Sequence, residues 1–234
     1  PGGLTRGLLM SGAHKVIVIE ADARFLPALE DIKSVYPDKL EIVQGDALQI
    51  SPDSLTAEPY RIISNLPYNI ATPLFTGWLE NSWQGGVWSP RFLSMTCMFQ
   101  KEVAQRIAAA PGTNNYGRLS VLAGWLTQAR ILFDVDRQVF VPPPNVTSSI
   151  VHVEPRAHPL AGADPQMLSQ VTAAAFGQRR KMLRASLKKI CRSPSAILAA
   201  ADIAETRRAE QLDIEEFCTL ARLIDDQNRQ KPAH

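Results

Sequence analysis

The chain has 234 residues, of which 45% are hydrophobic, and this content excludes a disordered protein and allows a sizeable core. Lys and Arg number 25 against 23 Asp and Glu, which excludes a uniformly basic nucleic-acid binder, so any nucleic-acid surface must be local. No apolar run approaches the roughly 20 residues that a membrane-spanning helix needs, and we expect no membrane partner.

The three cysteines, Cys97, Cys191 and Cys218, are far apart and share no metal-ligand spacing. An odd count without a disulfide framework indicates reduced thiols, so we expect a cytoplasmic protein. Nothing in the sequence requires a dimer, and we expect a monomer.

Apolar, β-branched runs alternate with helical patterns through the first two thirds of the chain. The predicted strands are residues 15–20, 40–44, 61–64, 91–99, 129–135 and 149–153. The predicted helices are residues 4–10, 24–35, 71–81, 101–110 and 119–128. This alternation predicts an α/β fold with a mostly parallel sheet covered by helices on both faces. The last two strands have no long helix between them, which predicts an antiparallel edge strand.

The composition changes after Val153. Residues 154–165 contain three prolines and a glycine and are typical of a linker. All later patterns are helical, over residues 165–176, 181–189, 194–201 and 214–225. We therefore predict an α/β domain over residues 1–156 and a small, all-helical C-terminal domain over residues 157–234.

Ligands of open parallel sheets lie beyond the carboxyl ends of the strands, where three features of this sequence fall. Pro1-Gly2-Gly3 precedes a helix, Glu20 ends a strand, and Gly45-Asp46-Ala47 ends the next strand. One carboxylate for ribose hydroxyls and one for an adenine amino group fit an adenosyl cofactor. NAD fits the same acidic strand end, and either carboxylate is also a common helix cap or solvated loop residue.

The next strand ends in Asn65-Leu66-Pro67-Tyr68. An amide oxygen and the backbone carbonyls before the proline can accept hydrogen bonds from an amino group, while the tyrosine can stack on the ring that carries it. These groups favour recognition of a base taken out of its helix. An oxidoreductase has no need of such a sequence, so the motif disfavours a nicotinamide dehydrogenase.

Asn65-Leu66-Pro67-Tyr68, together with Glu20 and Gly45-Asp46-Ala47, resembles S-adenosylmethionine-dependent adenine-N6 methyltransferases. Five further motifs resemble the KsgA-type ribosomal RNA adenine dimethyltransferases, and the resemblance covers nearly the whole chain. These motifs are residues 100–104 (QKEVA), 116–121 (YGRLSV), 140–146 (FVPPPNV), 176–184 (FGQRRKMLR) and 208–212 (RAEQL).

The resemblance implies a Rossmann-like methyltransferase sheet, S-adenosylmethionine as methyl donor and no metal. It implies dimethylation of two adjacent adenosines near the 3′ end of small-subunit rRNA during ribosome assembly. The implied cofactor-binding residues are Gly2, Glu20, Ala21, Asp46, Ala47 and Asn65. The implied catalytic residues are Asn65, Leu66, Pro67, Tyr68 and Phe140. Tyr68 would stack on the target base, and Phe140 would hold its other face.

The chain departs from the family at its start. Family members carry a basic leader and a strand ending in a Glu-x-Gly-x-Gly turn, and here only Pro1-Gly2-Gly3 matches the tail of that turn. That strand belongs at the centre of the family's sheet. We therefore expect that residues precede this sequence in the natural protein.

Basic residues are concentrated after residue 178, where an arginine-rich helix face is expected to follow RNA phosphates. The predicted RNA-contacting residues are Arg179, Arg180, Lys181, Arg184 and Lys188, with Lys101 and Arg106 at the rim. Lys181, Arg184 and Lys188 share one face if the segment is a continuous helix. The alternative is a solvated helix face with Leu183, Leu187 and Ile190 packed inward.

Three functions remain open once the resemblance is considered, with a nicotinamide dehydrogenase a distant fourth. The first is the small-subunit rRNA adenine dimethyltransferase, with the assembling small subunit as its partner. The second is a non-catalytic RNA-binding assembly factor on the same scaffold, which has no reason to keep an amino-group clamp. The third is a resistance-type methyltransferase of large-subunit rRNA, which shares the clamp but which the motifs at residues 176–184 and 208–212 disfavour.

Overall fold

The predicted alternation of strands and helices is present in the computed structural model, which describes residues 2–141 and 143–229. The α-helices of this part of the chain are α1 (Gly3–Met10), α2 (Leu26–Val35), α3 (Tyr68–Glu80), α4 (Lys101–Ile107), α5 (Arg118–Leu126), α6 (Pro165–Phe176), α7 (Leu183–Ser186), α8 (Pro194–Ala200) and α9 (Ile214–Arg229). The strands are β1 (Val16–Glu20), β2 (Leu40–Gln44), β3 (Tyr60–Asn65), β4 (Trp83–Gln84), β5 (Val87–Trp88), β6 (Phe92–Gln100), β7 (Thr127–Val135) and β8 (Ser148–Pro155).

Strands β1 and β2 form a parallel pair in which Val16 lies opposite Leu40 and Glu20 opposite Gln44. Helix α2 connects them, because parallel strands need a crossover. The helix presents Leu29 and Ile32 to a small buried cluster that Leu40 and the α1 residue Leu9 complete. The parallel pairing and the crossover helix confirm the prediction for this segment.

Strand β1 differs from the expected buried strand. Four of its five residues are Val or Ile, yet all five are only half-buried. Within the described residues, β1 is hydrogen-bonded to β2 alone, so one edge of this apolar strand carries no partner strand.

Strands β3 and β6 form a second parallel pair, with Ile62 opposite Met95 and Asn65 opposite Met98. Strand β6 is largely buried, whereas β3 alternates between half-buried and exposed residues and ends on the exposed Asn65. Helix α3 begins three residues later and buries Leu74, Phe75 and Leu79. The strand and the helix together fix the short connection between them.

A short hairpin between α3 and β6 was not predicted. Strands β4 and β5 pair antiparallel through Trp83 and Trp88, whose ring centroids lie 5.8 Å apart. Gly85 and Gly86 join them with φ angles of 56° and 81°. Two-residue hairpin turns of the I′ type need a positive φ at both central residues, which glycine adopts without strain.

The predicted antiparallel edge is confirmed. Strands β7 and β8 pair antiparallel from Thr127 opposite Pro155 to Val135 opposite Ser148, with an irregularity between Ile131 and Phe133. Among the described strands β7 pairs only with β8. Strand β8 is mostly buried, whereas β7 is mostly exposed, as an edge strand commonly is.

Every described element after Pro155 is helical, as predicted, and α6 packs against α9. Tyr116, Phe176 and Phe217 form the aromatic centre of this packing, with ring centroids 5.8 Å and 5.4 Å apart in the two successive pairs. Such aromatic pairs contribute about 0.5–1.5 kcal/mol beyond the burial of their area.

The predicted helix over residues 181–189 is wrong in part. Lys181 lies in a turn, α7 covers only Leu183–Ser186, and Leu187–Lys189 form a 3-10 turn. Lys181, Arg184 and Lys188 therefore do not lie on one face of a continuous helix. Leu183 and Leu187 are fully buried, as the alternative interpretation expected.

The chain packs into two compact units, one ending at Met98 and one beginning at Phe99. The boundary between these units is set by packing density, and it differs from the point after Pro155 where the secondary structure becomes purely helical. The predicted domain boundary near residue 156 stays a prediction.

Candidate active site

Gly2 precedes α1 in a conformation that requires glycine. Its φ is +75°, and a Cβ atom at this position would lie 2.6 Å from Cδ1 of Ile32. The Gly2 carbonyl accepts a hydrogen bond from the Arg6 amide at 2.9 Å, which closes the first turn of α1. The glycine turn before a helix is therefore confirmed at Gly2, whereas Pro1 lies outside the described residues.

Glu20 lies at the carboxyl end of β1, as predicted. Its Oε1 accepts a hydrogen bond from the Asp22 amide at 2.9 Å, so the turn after the strand holds the carboxylate in place. Among the described residues, no donor is paired with its second oxygen, which leaves that oxygen for a ligand. Arg24 beside Asp22 lowers the pKa of the Asp22 carboxyl to about 2, so this neighbour stays ionised.

Asp46 lies at the carboxyl end of the neighbouring strand. The Gly45 amide donates to the Glu20 carbonyl at 2.9 Å, so the two strand ends are joined directly. Asp46 Oδ1 accepts from the Leu48 amide at 2.9 Å, which leaves its other oxygen without a donor from the described chain. Each carboxylate therefore stabilises a local turn, as the alternative interpretation expected, and keeps one oxygen for binding. Ala21 is exposed and Ala47 half-buried beside them.

Asn65 is the last residue of β3, and its side chain is exposed. Leu66, which is 5% exposed, anchors the next residue in the core. Pro67 caps α3, and its carbonyl accepts a hydrogen bond from the Ile70 amide at 3.1 Å. Since the Pro67 carbonyl already accepts this bond, the Leu66 carbonyl is the candidate backbone acceptor beside Asn65. Tyr68 opens α3 and is half-buried.

Glu20, Asp46 and Asn65 each lie at the carboxyl end of a parallel strand, which confirms their placement in the fold. The register joins the first two at one edge. That all three line one pocket stays a prediction.

Phe140 follows a 3-10 turn over Arg137–Val139 between β7 and β8. Asp136 caps this turn by accepting the Gln138 amide at 2.9 Å. Phe140 is half-buried, and its neighbour Val141 is 99% exposed. The triple proline lies next, with Pro142 outside the described residues. The role of Phe140 at the target base stays a prediction.

A network at the base of this loop was not predicted. Lys101 Nζ donates to Asp134 Oδ2 at 2.6 Å, and the Ser149 hydroxyl donates to Asp134 Oδ1 at 2.6 Å. The Lys101 amide also donates to the Thr147 carbonyl at 2.9 Å. The network thus ties the start of α4 to both strands that carry the Phe140 loop. The sequence signal is an aspartate directly after the apolar residues 131–133 of the edge strand.

The predicted RNA-contacting residues divide into two groups. Three pair with carboxylates, as Lys101–Asp134, Arg106–Glu102 and Arg184–Glu205. The others are exposed and form no ion pair within the described residues, namely Arg179, Arg180, Lys181 and Lys188. The unpaired group is the stronger candidate for phosphate contact, because its charges are not already neutralised.

The described residues contain no group of three His, Cys, Asp or Glu side chains that could hold a metal ion. Cys97, Cys191 and Cys218 are buried free thiols, and burial raises the pKa of Cys97 to about 12. Over the same residues, no helix combines the length and the apolar character needed to cross a membrane.

The sequence matches the family described as "Ribosomal RNA adenine dimethylase" over residues 1–226. It is 54% identical to "Ribosomal RNA small subunit methyltransferase A" of Xanthobacter autotrophicus, over 94% of this chain and 75% of that protein. The protein of the same name from Sinorhizobium medicae is 52% identical, over 96% of this chain and 79% of its own length.

Two solved structures are similar in fold. A dimethyladenosine transferase from Plasmodium falciparum has a TM-score of 0.78 at 24% identity, over 97% of this chain and 87% of that chain. The 23S rRNA methyltransferase ErmE has a TM-score of 0.66 at 26% identity, over 96% and 88% of the two chains. These similarities confirm the predicted Rossmann-like methyltransferase fold.

The Asp134 network predicts how the pKa of the Asp134 carboxyl responds to loss of Lys101. Lys101 and the Ser149 hydroxyl lower the pKa of Asp134, so this carboxylate stabilises the folded state above its unfolded pKa and loses that effect as pH falls through its folded pKa. Lys101→Met should raise the Asp134 pKa toward its ordinary value, measured by carbon-13 NMR of the carboxyl group. Lys39→Met, an exposed lysine outside the network, should leave it unchanged. An unaltered Asp134 pKa in Lys101→Met would contradict the assigned ion pair.

Proposed function

The chain belongs to the ribosomal RNA adenine dimethylase family, and on that premise we propose that it transfers methyl groups from S-adenosylmethionine to adenosines of small-subunit rRNA. The proposed product is N6,N6-dimethyladenosine at two adjacent positions near the 3′ end, formed during assembly of the small subunit. Free buried thiols are consistent with the cytoplasm as its location, and we propose a monomer.

Asn65-Leu66-Pro67-Tyr68 is the observation that supports this function most strongly. The motif lies where β3 ends and α3 begins, so a strand on one side and a helix on the other hold its backbone. Leu66 is buried and Asn65 is exposed beside it. The protein therefore presents an amide oxygen and a main-chain carbonyl at a rigid point of the fold.

The carboxyl ends of β1 and β2 fit an adenosyl cofactor. Glu20 and Asp46 each keep one carboxylate oxygen free of donors from the described residues, and carboxylates accept hydrogen bonds from ribose hydroxyls or an amino group. Gly2, whose left-handed conformation turns the chain into α1, is a further residue proposed to contact the cofactor. When bound, S-adenosylmethionine supplies a methyl group on a positively charged sulfur.

The adenine amino nitrogen is a poor nucleophile, because its lone pair is delocalised into the ring. Asn65 Oδ1 and the Leu66 carbonyl would accept its two N–H groups and favour a pyramidal nitrogen with an available lone pair. As positive charge develops on that nitrogen, the same two oxygens stabilise it. Holding the nitrogen in line with the methyl carbon adds the contribution of proximity.

Proton transfer needs no strong base in this site. The amino proton becomes acidic only after the new N–C bond has formed, so it can leave to water. The motif agrees with this, since the Asn65 amide is not a base. We assign no catalytic role to the four histidines.

Tyr68 and Phe140 are proposed to hold the two faces of the target base. Stacking on an aromatic side chain contributes about 1–3 kcal/mol per base in single-strand binding proteins. Tyr68 is half-buried at the start of α3, which limits the rotation of its ring.

The small-subunit substrate is favoured over the large-subunit alternative by the relatives. Proteins named for the small subunit are 52–54% identical to this chain, whereas ErmE is 26% identical. A non-catalytic assembly factor is disfavoured because the amino-group clamp of Asn65 and Leu66 is intact.

Replacing the amide of the clamp tests catalysis. Asn65→Ala should lower the rate of methyl transfer to unmethylated small ribosomal subunits by about 100-fold to 1,000-fold, the usual effect of removing one group that stabilises transition-state charge. RNA affinity should change less than about twofold, because the phosphate contacts remain. Single-turnover transfer from labelled S-adenosylmethionine measures the rate, and filter binding measures affinity.

Asn69→Ala is the matched control, because Asn69 is an exposed asparagine four residues along the chain, within α3. It should retain the wild-type rate. Wild-type turnover by Asn65→Ala would remove the proposed mechanism.

Charge reversal tests the RNA surface. Replacing Arg179, Arg180 and Lys181 with glutamate should weaken RNA binding and make the slope of log K against log salt shallower. Each phosphate contact to single-stranded nucleic acid contributes roughly 0.7 to that slope. The measurement is a salt titration of affinity for a short single-stranded RNA.

The control carries glutamate at Lys33, Lys39 and Arg130, which form no ion pair within the described residues. It makes the same change in net charge and should keep most of the slope. Equal slopes in the two triple variants would identify the cluster as an ordinary solvated surface.

A further inference from the structure

An open cleft of about 360 Å³ lies next to the unpaired cations. It is formed by the last turns of α6, the residues directly after that helix, and the end of the 3-10 turn at Lys189. Ligand-binding pockets commonly measure roughly 300–1,000 Å³, so the cleft is at the lower end of that range and suits one small group.

The lining combines an apolar surface with a few polar ends. Ala173, Ala174 and Ile190 supply the apolar part, and the short alanine side chains leave room above the helix. The polar groups are the amides of Gln170 and Gln178 and the ammonium of Lys189. A glutamine amide both donates and accepts hydrogen bonds, as the edge of a nucleobase does.

The charge of the surrounding segment is entirely positive. Residues 165–201 contain no Asp or Glu and seven basic residues. These residues are Arg179, Arg180, Lys181, Arg184, Lys188, Lys189 and Arg192. The rest of the chain contains the other 18 of the 25 basic residues and all 23 acidic residues. The segment is thus a local cation surface on a chain that is otherwise acidic.

The carboxyl end of α6 carries a partial negative charge equivalent to about half an elementary charge, which repels an anion. Arg179, Arg180 and Lys181 follow that end directly, and none of them is paired with a carboxylate in the described residues. Their three full charges exceed the helix contribution. A phosphate is therefore stabilised beside the cleft, although the helix alone would repel it.

We propose that this cleft binds one unstacked nucleotide of single-stranded RNA, apart from the adenosine to be methylated. The base lies on Ala173, Ala174 and Ile190, its edge exchanges hydrogen bonds with Gln170 or Gln178, and Lys189 contacts the adjoining phosphate. Sequence-specific RNA recognition usually takes unstacked bases of this kind. The inference rests on the proposed function in that the chain must bind RNA.

The lining of the cleft favours a nucleotide over an acidic peptide as its ligand. An acidic peptide needs cations but gains little from a flat apolar surface with an amide at its edge. A nucleotide uses all three kinds of group at once. The charge complementarity and the lining together therefore favour RNA.

The test separates the base from the phosphate. The probes are a ten-nucleotide oligouridylate and an abasic ribose-phosphate strand of equal length. Uracil lacks the exocyclic amino group that Asn65 would hold, so binding at the methylation site does not favour it. Wild-type protein should bind oligouridylate about fivefold to tenfold more tightly than the abasic strand, the effect of about one net hydrogen bond.

Two variants should remove this preference. Ala174→Phe fills the cleft and Gln178→Ala removes an amide, and each should bring the affinity ratio close to one while affinity for the abasic strand stays within about twofold. Gln166→Ala, an exposed glutamine on α6 outside the lining, should keep the wild-type ratio. Circular dichroism checks the fold, and Gln178→Ala decides the question if Ala174→Phe does not fold.

The outcomes separate this proposal from the function on which it rests. If the abasic strand binds but the wild-type ratio is one, or if both cleft variants keep the wild-type ratio, the cleft proposal is overturned and RNA binding stands. If neither strand binds wild-type protein, both proposals fail. Equal binding of a ten-residue polyglutamate that both cleft variants weaken would assign the cleft to acidic peptides and overturn the nucleotide.

Discussion

Parallel strand pairing is the constraint on which the proposed chemistry depends. Because β1 and β2 run in the same direction, Glu20 and Asp46 lie at the same edge, joined by the hydrogen bond from the Gly45 amide to the Glu20 carbonyl. The pairing of β3 with β6 places Asn65 at the end of its strand in the same way. Antiparallel pairing of β1 and β2 would place Glu20 and Asp46 at opposite edges. Strand direction thus determines where the groups proposed to bind the cofactor and the target base lie.

In the motif at Asn65, neighbouring residues make different contacts inside the protein. Leu66 is buried and fixes the chain, while the Pro67 carbonyl is used by the first turn of α3. The Leu66 carbonyl and the Asn65 amide are therefore the groups proposed to accept the N–H groups of an adenine. The cations differ in a similar way, since Lys101, Arg106 and Arg184 pair with carboxylates, whereas the cations proposed to contact RNA form no ion pair within the described residues. In both places, the contacts inside the protein determine which polar groups remain for a ligand.

Much of the fold is predictable from the sequence because its signals are local. The bounds of β2 and α6 match their predictions, since an apolar run and a proline at the first helical position specify them. The continuous helix over residues 181–189 was wrong because the α-helix ends at Ser186 and a 3-10 turn follows, a change that the spacing of the buried Leu183 and Leu187 does not reveal. The Lys101–Asp134–Ser149 network joins residues that are distant in sequence, so no local pattern predicts it. The placement of Glu20, Asp46 and Asn65 was predictable because strand ends are visible in the sequence.

The most direct measurement of the central claim is the identity of the methylated nucleoside. The protein is incubated with methyl-labelled S-adenosylmethionine and small ribosomal subunits that lack the modification, and the rRNA is digested to nucleosides for mass spectrometry. An amino-group clamp at Asn65 predicts label in N6,N6-dimethyladenosine. Label in another nucleoside, or label incorporated only when large subunits are supplied, would contradict it.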